Sequence, residues 1–280
     1  MNNNLILVIN KEKNYTSRDV VNKLNKILKT KKIGHTGTLD PMATGVLVCL
    51  TGKYTKLVDL ITSFEKEYIA EIKLGIKTDT LDNTGQVLES RQIKTYTLDE
   101  IHKVLKSFVG TYEQIVPKYS AVSINGKRLY EYARNNEDVV LPKRLVEIKK
   151  IELLDYHNDL IKFKVLVSKG TYIRSLIEDI CNKLNTIGTM SDLVRTKQGK
   201  FKIEESFTLS DIENNNYENL KLEEVLDLEV FELDDNLYKK VINGNKLNID
   251  YNGYVLFKKN DYDIALYYFE DNIGYLKILF

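Results

Sequence analysis

Several features that would assign a class at sight are scarce or missing from this 280-residue chain. It has no run of about 18 consecutive apolar residues, which excludes a membrane-spanning helix. Its opening stretch, MNNNLILVINKEKN, has a short apolar run but no basic segment before it and no small-residue cleavage site. It therefore reads as a first strand, not a secretory signal, and cytoplasmic residence is the expectation. Cysteine is limited to Cys49 and Cys181, each inside an apolar stretch. A pair of this kind is expected to stay reduced. The three histidines, His35, His102 and His157, are scattered with no cysteine or histidine at ligand spacing, so no metal site is expected. The sequence contains no GxSxG, HExxH or GxGxxG pattern. Gly45 to Gly52-Lys53 superficially resembles a phosphate loop, but the spacing is wrong and Tyr54 stands where a magnesium-binding hydroxyl belongs.

A strongly basic balance is also missing: the formal net charge is +1. The charge is uneven, however. Lys23, Lys26, Lys29, Lys31 and Lys32 crowd the segment before GHTG, with further pairs at Lys127–Arg128, Lys143–Arg144 and Lys149–Lys150. Acid collects in the C-terminal third. A locally basic face on a near-neutral chain suffices for RNA, although lysine-rich surfaces are common without it.

What is present is core material: 43% of residues are hydrophobic, and the length suits one large domain or a main domain with a small one. Residues 5–9 (LILVI) predict a buried strand. Ser17 is expected to cap a helix whose Val20, Val21, Leu24, Ile27 and Leu28 share a face. EKEYIAEIKLG alternates, placing Tyr68, Ala70, Ile72 and Leu74 on one side of a strand. Thr97 and Glu100 form a capping box, Asn125-Gly126 signals a hairpin, and RLYEYAR after it reads as helical. Two alternating runs flank the HND turn near residue 158, with Ile161, Phe163, Val165 and Val167 facing one way. A helix follows, with Ile173, Leu176, Ile177, Ile180 and Leu184 as its stripe. After an acidic, Asn-rich boundary near 211–229, the last fifty or so residues carry short strands separated by turns, a small β-barrel-like unit. The mixed order, without a βαβα rhythm, predicts the α+β class.

Three segments could carry chemistry. In Gly34-His35-Thr36-Gly37-Thr38-Leu39-Asp40-Pro41-Met42-Ala43-Thr44-Gly45, Pro41 biases Asp40 toward an extended pose that projects its carboxylate. Asp before Pro also builds ordinary turns, and on the residues alone that is the commoner use. Ser168-Lys169-Gly170-Thr171-Tyr172-Ile173-Arg174 leaves a strand and enters a helix, a place for a ligand contact or for a surface Arg beside a half-buried Tyr. Tyr68 is either a core tyrosine or a site residue.

Together these segments resemble the TruB family of bacterial tRNA pseudouridine synthases. GHTGTLDPMATG is similar to its catalytic motif, EKEYIAEIKLGIKTDTLDNTG to its Tyr-bearing strand and loop, and SKGTYIRSLIEDI to its Arg-bearing junction. VPKYSAVSINGKRLYEYAR and LVRTKQGKF match further blocks, in order from about residue 5 to residue 210. Departures occur at Asn10-Lys11-Glu12-Lys13-Asn14, where the family has Asp-Lys-Pro-x-Gly, and at Val116, Lys118 and Val194. The likeness to the family's PUA-like domain is looser.

The resemblance implies a catalytic domain over 1–228, with a central mixed, mainly antiparallel sheet flanked by helices, and a PUA-like RNA-binding domain over 229–280. It implies isomerisation of the uridine at position 55 in the T loop of tRNA, with Asp40 as the catalytic carboxylate. Arg174 would aim Asp40, Tyr68 would stack on the uracil, and Tyr172 would line the pocket. Leu193 would close its wall, His35 would hold a displaced RNA loop, and Lys11 would bind phosphate. No cofactor, membrane or guide RNA is implied, and the expected unit is a monomer. A tRNA-folding module and a uracil-releasing glycosidase are the competing classes. A glycosidase normally brings a second carboxylate, which the motif does not supply.

Overall fold

The computed structural model describes residues 4–280, so the first three residues of the expected 1–228 domain lie outside the described residues. A mixed sheet runs through the larger part of the chain, helices cover it, and a second sheet follows, as the α+β expectation requires.

The strand order follows from which segments are apolar on one face or on both. Ile6–Lys11 is buried on both faces, as its unbroken apolar run predicts, and pairs antiparallel with Thr44–Thr51. Lys66–Leu74 alternates strictly between buried and half-buried residues, and pairs antiparallel with Leu160–Val167. Lys143–His157 and then Gly110–Ile115 extend that side. Gly188–Gln198 joins the two halves. It runs antiparallel to Lys66–Leu74, with Leu193 opposite Ala70 and Arg195 opposite Tyr68. On its other side it runs parallel to Thr44–Thr51, through Val194–Thr44 and Arg195–Gly45. The chain arrives at that parallel seam directly from the GHTGTLDPMA segment. The seam therefore delivers this loop over Tyr68 and Leu193.

Helices Ser17–Ile27, Leu98–Lys106 and Ile173–Lys183 set their apolar stripes into one core with Leu7, Ile9, Ile72, Phe163 and Val165. Ile6, Val8, Val46 and Val48, from the other face, share a second core with Leu222, Val225, Leu256, Leu266 and Phe280. The expected boundary near 211–229 is thus pinned by apolar side chains along its length: Ile212 enters the first core, and Leu222 and Val225 the second. The final sheet, ordered Glu229–Glu232, Gly253–Lys259, Tyr262–Glu270, Ile273–Leu279 and Leu247–Asn248, curls into a half-barrel. Its far face has its own core around Leu233, Val241, Phe257, Tyr267 and Phe269.

Local signals resolve as physics predicts, with one correction. The Thr97–Glu100 capping box forms, and Asn125-Gly126, both at positive φ, turn the Ser123–Ile124/Lys127–Arg128 hairpin. The first helix, however, is capped by Thr16 and not by Ser17. Thr16 Oγ1 accepts from the Asp19 backbone N–H at 3.0 Å, and the Asp19 carboxylate accepts from the Thr16 N–H at 2.9 Å. Asp19 supplies the acid of the box one turn-position earlier than a Ser17 cap would need. This frees the buried Ser17 hydroxyl, which accepts from the Leu39 N–H at 2.9 Å and so ties the helix to the loop before Asp40.

Candidate active site

The loop from Thr36 to Ala43 is anchored on both sides of Asp40. Leu39, Met42 and Ala43 are buried, the Ala43 N–H donates to the Asp40 carbonyl at 3.0 Å, and the Asn14 N–H donates to the Pro41 carbonyl at 2.8 Å. The Asp40 backbone closes a turn, and its side chain is left to face a cleft. At the end of the loop Gly45 has a φ of 98°, and a Cβ there would lie 2.3 Å from the Arg195 carbonyl oxygen. The parallel seam requires a residue without a side chain at this point.

The cleft encloses about 420 Å³, and its lining includes Asp40, Tyr68, Tyr119, Tyr172, Arg174 and Leu193. Arg174 Nε lies 2.9 Å from Asp40 Oδ2, and Nη2 donates to Oδ1 at 3.2 Å, a two-point grip. The Arg174 side chain is 6% exposed and that of Asp40 29%, so the cation is sunk in the wall while the carboxylate meets the cleft. Arg174 also donates to backbone carbonyls, Nη1 to Thr80 and Nη2 to Tyr119, each at 3.0 Å. Asp82 stands 4.0 Å from Nε.

Arg174 and Tyr172 owe their placement to the strand–helix junction. Tyr172 is the N-cap of Ile173–Lys183, in extended conformation and without a side-chain cap. The backbone of Tyr172 is instead held from a neighbouring strand. Buried Gln114 accepts from the Tyr172 N–H at 2.8 Å, donates to its carbonyl at 3.1 Å, and donates to the Tyr112 hydroxyl at 2.8 Å. Tyr68 is buried on the central strand and belongs to the main core, yet its ring lines the cleft. Its hydroxyl makes no hydrogen bond among the described residues, so core packing alone leaves the polar tip unexplained. Leu193 forms the apolar wall on the neighbouring strand.

Two expected site residues stand outside the cleft lining. His35 is half-buried on the short strand Ile33–His35, its Nδ1 accepts from the Gly37 N–H at 3.4 Å, and burial together with Arg195 and Arg18 lowers its pKa. Lys11 is 0% exposed. Its ammonium donates to the carbonyls of Tyr15 at 2.6 Å, Glu12 at 3.0 Å and Pro41 at 3.3 Å, so its three donors are used on backbone. Burial draws its pKa down to about 8. Lys11 thus braces the Asp40 loop from beneath, with its donors turned to backbone carbonyls.

Sequence reasoning passes over Gln114, Tyr119, Asp82 and Lys66, and meets Arg195 only as a neighbour of Val194. Tyr119 and Asp82 lie in blocks that resemble the family, VPKYSA and TDTLDNTG, and could be singled out there. Gln114 carries no local signal. Both cysteines are buried and free, their thiols pushed up to about 12 by burial. Among the described residues no group of three or more His, Cys, Asp or Glu could hold a metal ion.

This sheet, cleft and half-barrel define the class of the pseudouridylate synthases. Residues 25–173 match the TruB family pseudouridylate synthase N-terminal domain, and residues 174–237 match the tRNA pseudouridylate synthase B C-terminal domain. The chain belongs to the TruB family. It is 42% identical over 250 residues to tRNA pseudouridine synthase B of Caldanaerobacter subterraneus, covering 88% of this chain and 87% of the relative. It is 41% identical over 264 residues to the protein of that name from Mesoplasma florum, covering 93% and 91%. The Staphylococcus aureus protein of that name is 43% identical over 260 residues, covering 88% and 85%. A crystal structure of a Cbf5-Nop10-Gar1 complex superposes with a TM-score of 0.72 at 26% identity, covering 98% of this chain and 83% of that one. The Asp40–Arg174 pair spans the two matched family segments, with one partner in each.

Proposed function

We propose that this protein isomerises the uridine at position 55 in the T loop of tRNAs to pseudouridine, with Asp40 as the catalytic carboxylate. The observation that carries this reading is the gripped Asp40 carboxylate, open to a cleft walled by Tyr68, Tyr172 and Leu193. The names of the bacterial relatives support tRNA as the substrate.

The reaction breaks the bond from C1′ to uracil N1, turns the base, and joins C1′ to C5. The C5 hydrogen leaves as a proton, and N1 ends the sequence protonated, so no electrons are gained or lost. A target uridine must leave its loop to reach the cleft, at a cost of a few kcal/mol. Stacking on Tyr68 offsets this by about 1–3 kcal/mol. Arg174 holds Asp40 at the sugar, Tyr172 serves the proton steps at the base, and Leu193 keeps water from a reaction that must not hydrolyse. His35 sits where the RNA loop closes over the vacated position, and Lys11 supports catalysis by fixing the Asp40 turn.

We read the protein as a monomer that binds the T arm directly, without guide RNA, in the cytoplasm. No helix among the described residues is long and apolar enough to cross a membrane. Tritium release from tRNA labelled at uridine C5 tests the reaction. Release by the wild type and none by Asp40→Asn is the expected result. Free uracil among the products would assign a glycosidase instead. A folded wild type that binds tRNA and releases no tritium would point to a tRNA-folding role.

A further inference from the structure

Two buried cations meet at the Gly37 end of the Asp40 loop. Lys66 is 7% exposed and Arg195 1%, and both line the cleft. A Cβ on Gly37 would stand 3.5 Å from Arg195 Nη1 and 3.5 Å from Lys66 Cε, so the two side chains flank one backbone position.

Their partners are backbone carbonyls. Lys66 Nζ donates to Phe64 at 2.7 Å and Thr62 at 2.9 Å, leaving one of its three donors unused. Arg195 Nε donates to Val46 at 2.6 Å and Nη2 to Gly37 at 3.1 Å, while Nη1 has no hydrogen bond among the described residues. Carbonyls satisfy hydrogen bonds but do not neutralise charge. Neither cation forms an ion pair with a carboxylate among the described residues, whereas Arg174 lies between Asp40 and Asp82. The charges that act on Lys66 are Arg195 and Lys169, both positive. Burial, with those neighbours, lowers the Lys66 pKa to about 8. A buried charge without a counter-ion is costly, and two together more so. An incoming anion removes that cost.

We infer that Lys66 and Arg195 form an anion subsite at the Gly37 end of the cleft, which takes a backbone phosphate adjoining the target nucleotide. The inference rests on the proposed reaction on RNA and adds a division of labour within the cleft. The carboxylate wall receives the sugar and base, and the cationic end fixes the backbone. Catalytic geometry is thereby set by two separated anchors, one of them selective for a phosphodiester.

A T-arm stem–loop RNA tests this, unmodified or with one neutral methylphosphonate linkage 5′ or 3′ of the target uridine. Dissociation constants are measured by fluorescence anisotropy in an Asp40→Asn background, so the readout is independent of turnover. One of the two methylphosphonates is expected to weaken binding about tenfold, the size of a single charge-assisted hydrogen bond. Lys66→Met is expected to cost a similar factor and to make that linkage irrelevant, and Lys66→Arg to restore its sensitivity. If neither linkage matters, or if the methylphosphonate penalty is the same with and without Lys66, the subsite does not exist. It is ruled out equally if Lys66→Met lowers only the melting temperature, which would leave Lys66 as a cap on the Thr62 and Phe64 carbonyls. Failure of the wild type to release tritium would refute the proposed reaction and leave this binding comparison intact.

Discussion

Arg174 holds Asp40 at two points, Nε to Oδ2 at 2.9 Å and Nη2 to Oδ1 at 3.2 Å, while its other bonds to the Thr80 and Tyr119 carbonyls keep the guanidinium from following the carboxylate. The carboxylate is therefore aimed by a fixed fork. A lysine at 174 keeps the charge but not the fork. Arg174→Lys is expected to lower kcat/KM by about 100-fold or more, comparable to losing a positioned donor in other active sites. The tRNA dissociation constant should change only a few-fold. Steady-state tritium release together with a filter-binding assay separates the two, and an equal loss in both would mean that Arg174 serves binding and not aim.

Gln114 pins the residue that opens the helix carrying Arg174. Its amide bonds both backbone groups of Tyr172 and the Tyr112 hydroxyl, so the junction carrying Tyr172 and Arg174 is fixed from a neighbouring strand. Gln114→Leu keeps the volume and leaves the Tyr172 N–H unpaired, at about 1–3 kcal/mol if it stays dry. The Tyr172 carbonyl keeps the Leu176 N–H, and the Tyr112 hydroxyl keeps Asp179. A fall of several degrees in melting temperature is expected, with a roughly tenfold loss in kcat and little change in KM. A variant of wild-type stability and activity would show that Tyr172 is held by its other contacts.

The contrast between Asp40 and Gln114 marks what the sequence could convey. Period-two alternation puts Tyr68 on a buried face, and it is buried there. The 3.6-residue stripe from Ile173 to Leu184 is likewise in the core. These patterns are legible because burial is a property of one segment at a time. The Asp40–Arg174 contact joins residues 134 positions apart, and only the likeness of two motifs to one family brings them together in advance. Gln114 sits in GTYEQI, a segment with no periodic signal, and acquires its role from where the sheet places it beside residue 172. The surroundings of Lys11 are illegible for the same reason. The family resemblance implies a phosphate contact for Lys11, and strand pairing buries its ammonium under Pro41. The Ser17 cap fails more locally, because Asp19 closes the box on Thr16 first.

Gly45 separates the cost of backbone strain from the cost of collision. Its φ of 98° alone disfavours a side chain, and the Arg195 carbonyl oxygen would lie 2.3 Å from the added carbon. Gly126, with a φ of 79° and nothing within 4 Å, provides the comparison. Gly126→Ala should cost about 1–2 kcal/mol, the strain contribution by itself. Gly45→Ala should cost clearly more and reduce turnover further, since it pries the parallel seam from beneath the Asp40 loop. Urea denaturation of both variants reads the difference. Equal costs would mean that the seam relaxes freely.

Lys11 supplies a pH signature for the brace beneath that loop. Its ammonium is fully buried on three carbonyls, and burial lowers its pKa from 10.5 to about 8. Between those values the unfolded chain keeps a proton that the folded chain has released. Stability conferred by this group must therefore rise with pH across that window, by up to about 1.4 kcal/mol per pH unit. In Lys11→Met this contribution is absent, while titrations shared by both proteins cancel. The stability of the wild type relative to Lys11→Met is accordingly expected to increase from pH 8 to pH 10, measured by denaturant unfolding at each pH. A difference that stays flat, or shrinks, would mean that the ammonium is hydrated in the native protein and that the Asp40 turn is braced by its backbone alone.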